Sequence, residues 1–120
     1  MARMARIVSI SFPGIRGDMT PVERSRAAVD DACRRIDEAA FGDPDLIVLP
    51  ETFTGLGAGG DTFFTSAEPI PGPTTDALAE KARKYATYIV FGILRRCDGK
   101  LYNASVLLGR DGSVRGIYHK

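Results

Sequence analysis

A chain of 120 residues with 44% apolar and 26% charged side chains has the composition of one globular domain, with enough apolar residues for a core. Its formal net charge is +1, and bases alternate with acids, as in Asp30-Asp31-Ala-Cys-Arg34-Arg35. That balance argues against nucleic-acid or anionic-membrane partners, and neither is expected. No apolar run is long enough to span a bilayer. The basic start, Met1 to Arg6, is followed by too short an apolar stretch for a secretory leader. Cys33 and Cys97 have neither metal nor redox spacing, which suggests two free thiols in a reducing cytoplasm.

The β-branched run Arg6-Ile-Val-Ser-Ile-Ser-Phe12 ends at Pro13-Gly14 and predicts a buried strand. Thr20-Pro-Val-Glu23 has the form of a capping box and opens a helix. Val22, Val29, Cys33, Ile36 and Ala40 supply one apolar face through about Phe41. Gly42-Asp-Pro44 ends it. Leu46-Ile-Val-Leu49 predicts a second strand, apolar without alternation, as in a parallel strand covered on both faces. Residues 52–73 predict a long loop rich in Gly and Pro, of the kind that carries function. Thr74 or Thr75 is expected to cap a second helix, with Leu78, Ala82, Tyr85 and Ala86 facing inward. Tyr88 to Leu94 predicts a third strand. The Asp98-Gly99 and Asp111-Gly112 turns then lead to two more, Leu101–Leu108 and Val114–Tyr118.

The expected fold is therefore α/β, in the order β-α-β-α-β-β-β, with a mixed sheet and its helices on one face. Two helices on one face leave the other face of an apolar sheet uncovered. A second sheet or a partner chain is expected to cover it.

Glu51 is the leading candidate for chemistry. It follows Asp45-Leu-Ile-Val-Leu-Pro50 at the carboxyl end of a parallel strand, where reactive groups of open α/β sheets gather. Partial burial there is expected to raise its pKa toward the range of a general base. Lys120 gains interest from Glu51, since a lysine at a chain end is ordinarily a solvated side chain. Phe53, Phe63 and Phe64 either line a pocket mouth, and so bind substrate, or pin the long loop to the core. Gly55-Leu-Gly57-Ala-Gly-Gly60 matches a dinucleotide-binding pattern. Five residues separate it from the strand and Asp-Thr-Phe-Phe-Thr with prolines follows where a helix should open, so it indicates loop freedom and no nucleotide cofactor. His119 has no partners for zinc or for a serine hydrolase and is expected in a loop. Cys33 is assigned to core packing and Cys97 to an exposed turn.

Several of these pieces together resemble the nitrilase superfamily of carbon–nitrogen hydrolases. They are Arg6-Ile-Val-Ser-Ile, Asp45-Leu-Ile-Val-Leu-Pro-Glu51-Thr-Phe, Gly72-Pro-Thr74, Tyr88-Ile-Val-Phe-Gly92, Leu101-Tyr-Asn-Ala-Ser105 and Gly116-Ile-Tyr-His-Lys120. The resemblance implies an α-β-β-α sandwich, of which residues 1–120 look like the N-terminal half, a single partial domain. It also implies Glu-Lys-Cys thioester chemistry without a metal or other cofactor. Glu51 matches the family's general base and Lys120 its intermediate-stabilising lysine. The nucleophilic cysteine has no counterpart at Cys33 or Cys97, so the chain alone is expected to be inactive.

The implied substrates are small amides or carbamoyl amides ahead of nitriles, and the full-length form is expected to be a homo-oligomer. Two alternatives stand beside this. One is a Mg²⁺-dependent phosphoesterase of the endonuclease/exonuclease/phosphatase kind, with Glu51 on the metal. The other is a non-catalytic, partner-binding pseudoenzyme.

Overall fold

The computed structural model describes residues 2–120. Five strands form one mixed sheet in chain order: β1 (Ile7–Ser9), β2 (Leu46–Val48), β3 (Tyr88–Cys97), β4 (Lys100–Leu108) and β5 (Val114–His119). The β1, β2 and β3 strands run parallel, with Val8 opposite Ile47 and Ile47 opposite Ile89. The remaining pairs, β3–β4 and β4–β5, are antiparallel. Parallel neighbours need crossovers, and α1 (Pro21–Ala39) supplies the first. The second contains α2 (Asp61–Thr65) and α3 (Pro73–Tyr85). Two-residue turns suffice for the antiparallel hairpin at Asp98-Gly99, where both residues take positive φ.

The capping box is formed as the sequence predicts. Glu23 N donates to Thr20 Oγ1 at 3.2 Å, and Thr20 N donates to Glu23 Oε2 at 2.9 Å. The buried stripe of α1 is Arg24, Ala28, Ala32 and Ile36, a strict four-residue repeat. It is rotated from the expected face. Val22 is 67% exposed, and Val29 and Cys33 are only half-buried. Small alanines let α1 pack closely against α3 and the Phe53–Gly55 turn, with Val22 and Val29 flanking the contact. Cys33 packs against the core as expected, and burial pushes its thiol pKa up.

Further expectations are corrected, the first at β1, which is an edge strand with Ile7 64% exposed and not a buried one. Residues 52–73 are not a featureless loop, because they hold a 3₁₀ turn at Phe53–Gly55 and the short α2. Neither Thr74 nor Thr75 caps α3. Its N-cap is Gly72, and Glu68 reaches back from the preceding segment, accepting from Thr74 N and Thr74 Oγ1, each at 2.8 Å. A carboxylate from earlier in the chain thus satisfies a first-turn N–H. Ala86 is exposed and ends α3 in the left-handed conformation.

Alternation along the strands divides the sheet into two faces. Ile47, Leu49, Ile89, Phe91, Ile93, Val106 and Leu108 point to the helix side and join Ala28, Ala32, Ile36, Leu78 and Ala82 in one core. Leu46, Val48, Val90 and Leu107 point the other way and remain half-exposed. The parallel strand β2 is therefore covered on one face, not two. No helix among the described residues is long and apolar enough to cross a membrane.

Candidate active site

The uncovered face of the sheet carries the candidate site. Beyond β2 the chain stays beside β3, with Leu49 N donating to Val90 O at 2.9 Å and Gly92 N to Pro50 O at 3.3 Å. Gly92 makes the next step possible. A Cβ there would lie 2.7 Å from Glu51 Cα and 2.8 Å from Thr52 N, so only glycine lets the Glu51 backbone rest on β3. Thr52 then takes the left-handed conformation (φ 45°, ψ 41°), sparsely populated for a β-branched residue. The turn divides the segment. Glu51 faces the open side, while Phe53 drops into the core.

Glu51 Oε1 accepts hydrogen bonds from Lys120 Nζ at 2.9 Å and Asn103 Nδ2 at 2.6 Å. Lys120 is placed by the sheet, since its backbone N donates to Asn103 O at 2.9 Å and so extends the β4–β5 ladder. The group sits in a shallow cavity of about 470 Å³ whose walls include Val48, Val90, Gly92, Ser105 and Tyr118. The Glu51 and Lys120 side chains are 57% and 69% exposed, so solvent screens the pair.

The expected direction of the Glu51 pKa is reversed. The Lys120 hydrogen bond, then that of Asn103, lowers it from the ordinary 4.5, and burial contributes little. The same contact raises Lys120. Each partner favours the other's charged form. Such a pair offers a carboxylate ionised at neutral pH beside an ammonium able to hold a developing negative charge. The donor set does not suit a divalent cation, because the Lys120 ammonium 2.9 Å from the carboxylate sets a like charge against it. Among the described residues, no three His, Cys, Asp or Glu side chains converge.

The aromatic candidates lie elsewhere. Phe53 is fully buried, edge-on to Phe12 (5.9 Å) and Phe91 (6.3 Å) on the helix side. Phe63 packs over Gly55, and Phe64 is 52% exposed beside it. None of the three lines the cavity at Glu51. Of the two readings offered by the sequence, anchoring the loop describes Phe53.

His119 is not in a loop. It ends β5 and stacks on Tyr102, with ring centroids 4.0 Å apart, and its Nε2 lies 3.0 Å from Arg95 Nη1. Cys97 ends β3 half-buried, five residues beyond Gly92, which corresponds to about 17 Å along a strand. Cys33 lies across the sheet with α1. Asn103 is the residue that sequence reasoning overlooked. Its signal was present, as a polar side chain at an open-face position of β4.

Comparison with known proteins agrees with this architecture. The carbon–nitrogen hydrolase family pattern matches residues 20–120. A nitrilase of Paraburkholderia phymatum is 36% identical over 103 residues, covering 75% of this chain and 30% of the relative. The omega-amidase NIT2 of Homo sapiens is 38% identical over 90 residues, covering 74% and 32%. The crystal structure of an N-terminal amidase superposes with a TM-score of 0.75 at 17% identity, over 97% of this chain and 28% of that one. A CN-hydrolase superfamily protein from Xanthomonas campestris gives 0.68 at 21% identity, over 97% and 38%. At these identities the structural likeness speaks for the fold alone. The chain spans about a third of the length of the curated relatives it matches. The family pattern extends from the α1 cap to the lysine at the open face, and the chain belongs to the carbon–nitrogen hydrolase family.

Proposed function

We propose that this chain supplies the acid and the ammonium of a hydrolase acting on non-peptide carbon–nitrogen bonds, with a cysteine thiol as nucleophile. The observation that supports this most strongly is the convergence of Lys120 Nζ and Glu51 Oε1 at 2.9 Å on the open face of the sheet. In this proposal Glu51 takes the thiol proton. The thiolate attacks the carbonyl carbon to give a tetrahedral adduct, and Lys120 stabilises its oxyanion. Collapse expels the amine, which takes the proton back from Glu51. Glu51 then activates water against the thioester.

Neither Cys33 nor Cys97 stands where that thiol is needed, so the 120-residue chain by itself is proposed to be inactive. Small amides or carbamoyl amides, ahead of nitriles, are the proposed substrates; the omega-amidase among the relatives supports an amide, and the nitrilase keeps nitriles within the proposal. A homo-oligomeric, cytoplasmic enzyme belongs to the same proposal. Its support in the chain is two unpaired cysteines and an uncovered apolar sheet face.

The test is ammonia release by the purified chain from a panel of amides, carbamoyl amides and nitriles, with a parallel Mg²⁺ titration. The expected result is no turnover and no saturable Mg²⁺ binding at Glu51. Turnover that survives Glu51→Gln would remove the assigned base. Saturable Mg²⁺ binding lost in Glu51→Gln would favour the phosphoesterase alternative.

A further inference from the structure

We infer that Asn103 is a positioning residue for the Glu51 carboxylate, occupying Oε1 together with Lys120 and leaving Oε2 as the oxygen that takes the proton. The role of that proton rests on the hydrolase reading above, whereas the geometry does not.

Asn103 joins both members of the pair. Its carbonyl accepts from Lys120 N at 2.9 Å, and its side chain donates to Glu51 Oε1 at 2.6 Å. One residue of β4 therefore fixes the backbone that carries the ammonium and the carboxylate that meets it. A carboxylate oxygen has two lone pairs, and those of Oε1 are taken by Asn103 Nδ2 and Lys120 Nζ. Among the described residues Oε2 has no hydrogen-bond partner. A lone ammonium is a rotatable point charge and leaves the carboxylate free to turn. A second donor on a β-strand side chain sets its plane.

The residue type is also constrained. Aspartate at 103 would place a like charge against Glu51, and leucine would offer no donor. In the proposed step the thiol S–H bond breaks and an O–H bond forms at Oε2. The electron pair left on sulfur becomes the nucleophile. The Asn103 bond is the second contributor, after Lys120, to keeping Glu51 ionised.

The test is a pH titration of the isotopically labelled 120-residue chain by NMR, following the Glu51 side-chain carboxyl carbon and the Asn103 side-chain amide protons. In the wild-type chain both signals are expected to move with one midpoint. Asn103→Leu is expected to shift the Glu51 midpoint upward, by less than Lys120→Met does. An unchanged Glu51 midpoint in Asn103→Leu overturns the inference. Wild-type Asn103 amide protons that ignore the Glu51 transition also overturn it, and this second measurement decides the matter if the variant does not fold. Turnover plays no part in either readout. A failure of the hydrolase reading therefore leaves the titration result standing, and a negative titration leaves that reading untouched.

Discussion

Lys120 Nζ donates to Glu51 Oε1 across 2.9 Å although 69 residues separate them in the chain. The parallel strand β2 delivers one group and the edge strand β5 the other, with β3 and β4 lying between. The pair therefore depends on the whole width of the sheet from β2 to β5. Disturbance of that register is expected to be read at Glu51 before it is read in global stability.

The pH dependence of the pair has a defined sign. Glu51 has a lowered pKa in the folded chain, so its contribution is present above about 4.5 and is lost as pH falls through the lowered value. Lys120 is raised, so its contribution is complete below about 10.5 and is lost as pH rises through the raised value. Lys120→Met is expected to move the Glu51 midpoint upward by NMR while leaving the thermal midpoint almost unchanged, because both side chains are exposed. Added salt is expected to reduce the wild-type displacement of Glu51.

Gly92→Ala tests how the site is seated. The new Cβ would lie 2.7 Å from Glu51 Cα, which forces the Glu51 backbone away from β3. Overpacking of this kind costs about 1–3 kcal/mol, measurable by urea denaturation. The Glu51 midpoint should rise toward its ordinary value in the same variant. A folded Gly92→Ala chain with an unshifted Glu51 would show that the close approach is not what positions the carboxylate.

Much of the architecture is legible in the sequence alone. The Thr20–Glu23 capping box, the Asp98-Gly99 hairpin and the β2–Pro50–Glu51 passage each carry their cause within a few residues of chain. What the sequence concealed depends on distant partners. Glu68 replaces Thr74 or Thr75 as the cap of α3, and the chain between them shows no reason for it to turn back. The pKa of Glu51 moves opposite to expectation because two donors arrive from β4 and β5. Phe53 was grouped with Phe63 and Phe64 by adjacency, but the left-handed Thr52 sends it through to the helix side. Of the expected α1 face, Val22, Val29, Cys33, Ile36 and Ala40, only Ile36 is fully buried, and packing against α3 and the Phe53–Gly55 turn buries Ala28 and Ala32 instead.

Burial separates the three loop aromatics. Phe53 is wholly enclosed by core groups that include Phe12 and Phe91, so Phe53→Ala should cost about 3–5 kcal/mol in chemical denaturation. Phe64 is 52% exposed, and Phe64→Ala should change stability by no more than about 0.5 kcal/mol. Equal effects would contradict the placement of Phe53.

Glu68 gives a dependence of the opposite sign to Glu51. Burial raises its pKa from 4.5, against the lowering effect of its two bonds to Thr74. Between the unfolded and folded values the native chain binds more protons than the unfolded one, so stability falls as pH rises through that window. Glu68→Gln should remove this component of the pH profile, since glutamine does not titrate. Glu68→Ala should lose the cap and cost about 1 kcal/mol. Thermal midpoints recorded from below pH 4.5 upward distinguish the two variants.

The most direct test of the proposed chemistry restores the thiol. A chimera in which this chain replaces the matching segment of the Paraburkholderia phymatum nitrilase would bring Glu51 and Lys120 to a complete site, and ammonia release from amides and nitriles is the measurement. The account predicts turnover in the chimera and a loss of about 10²–10⁴-fold in Glu51→Gln, the usual contribution of a general base. A chimera that turns over equally well with Glu51→Gln would contradict it.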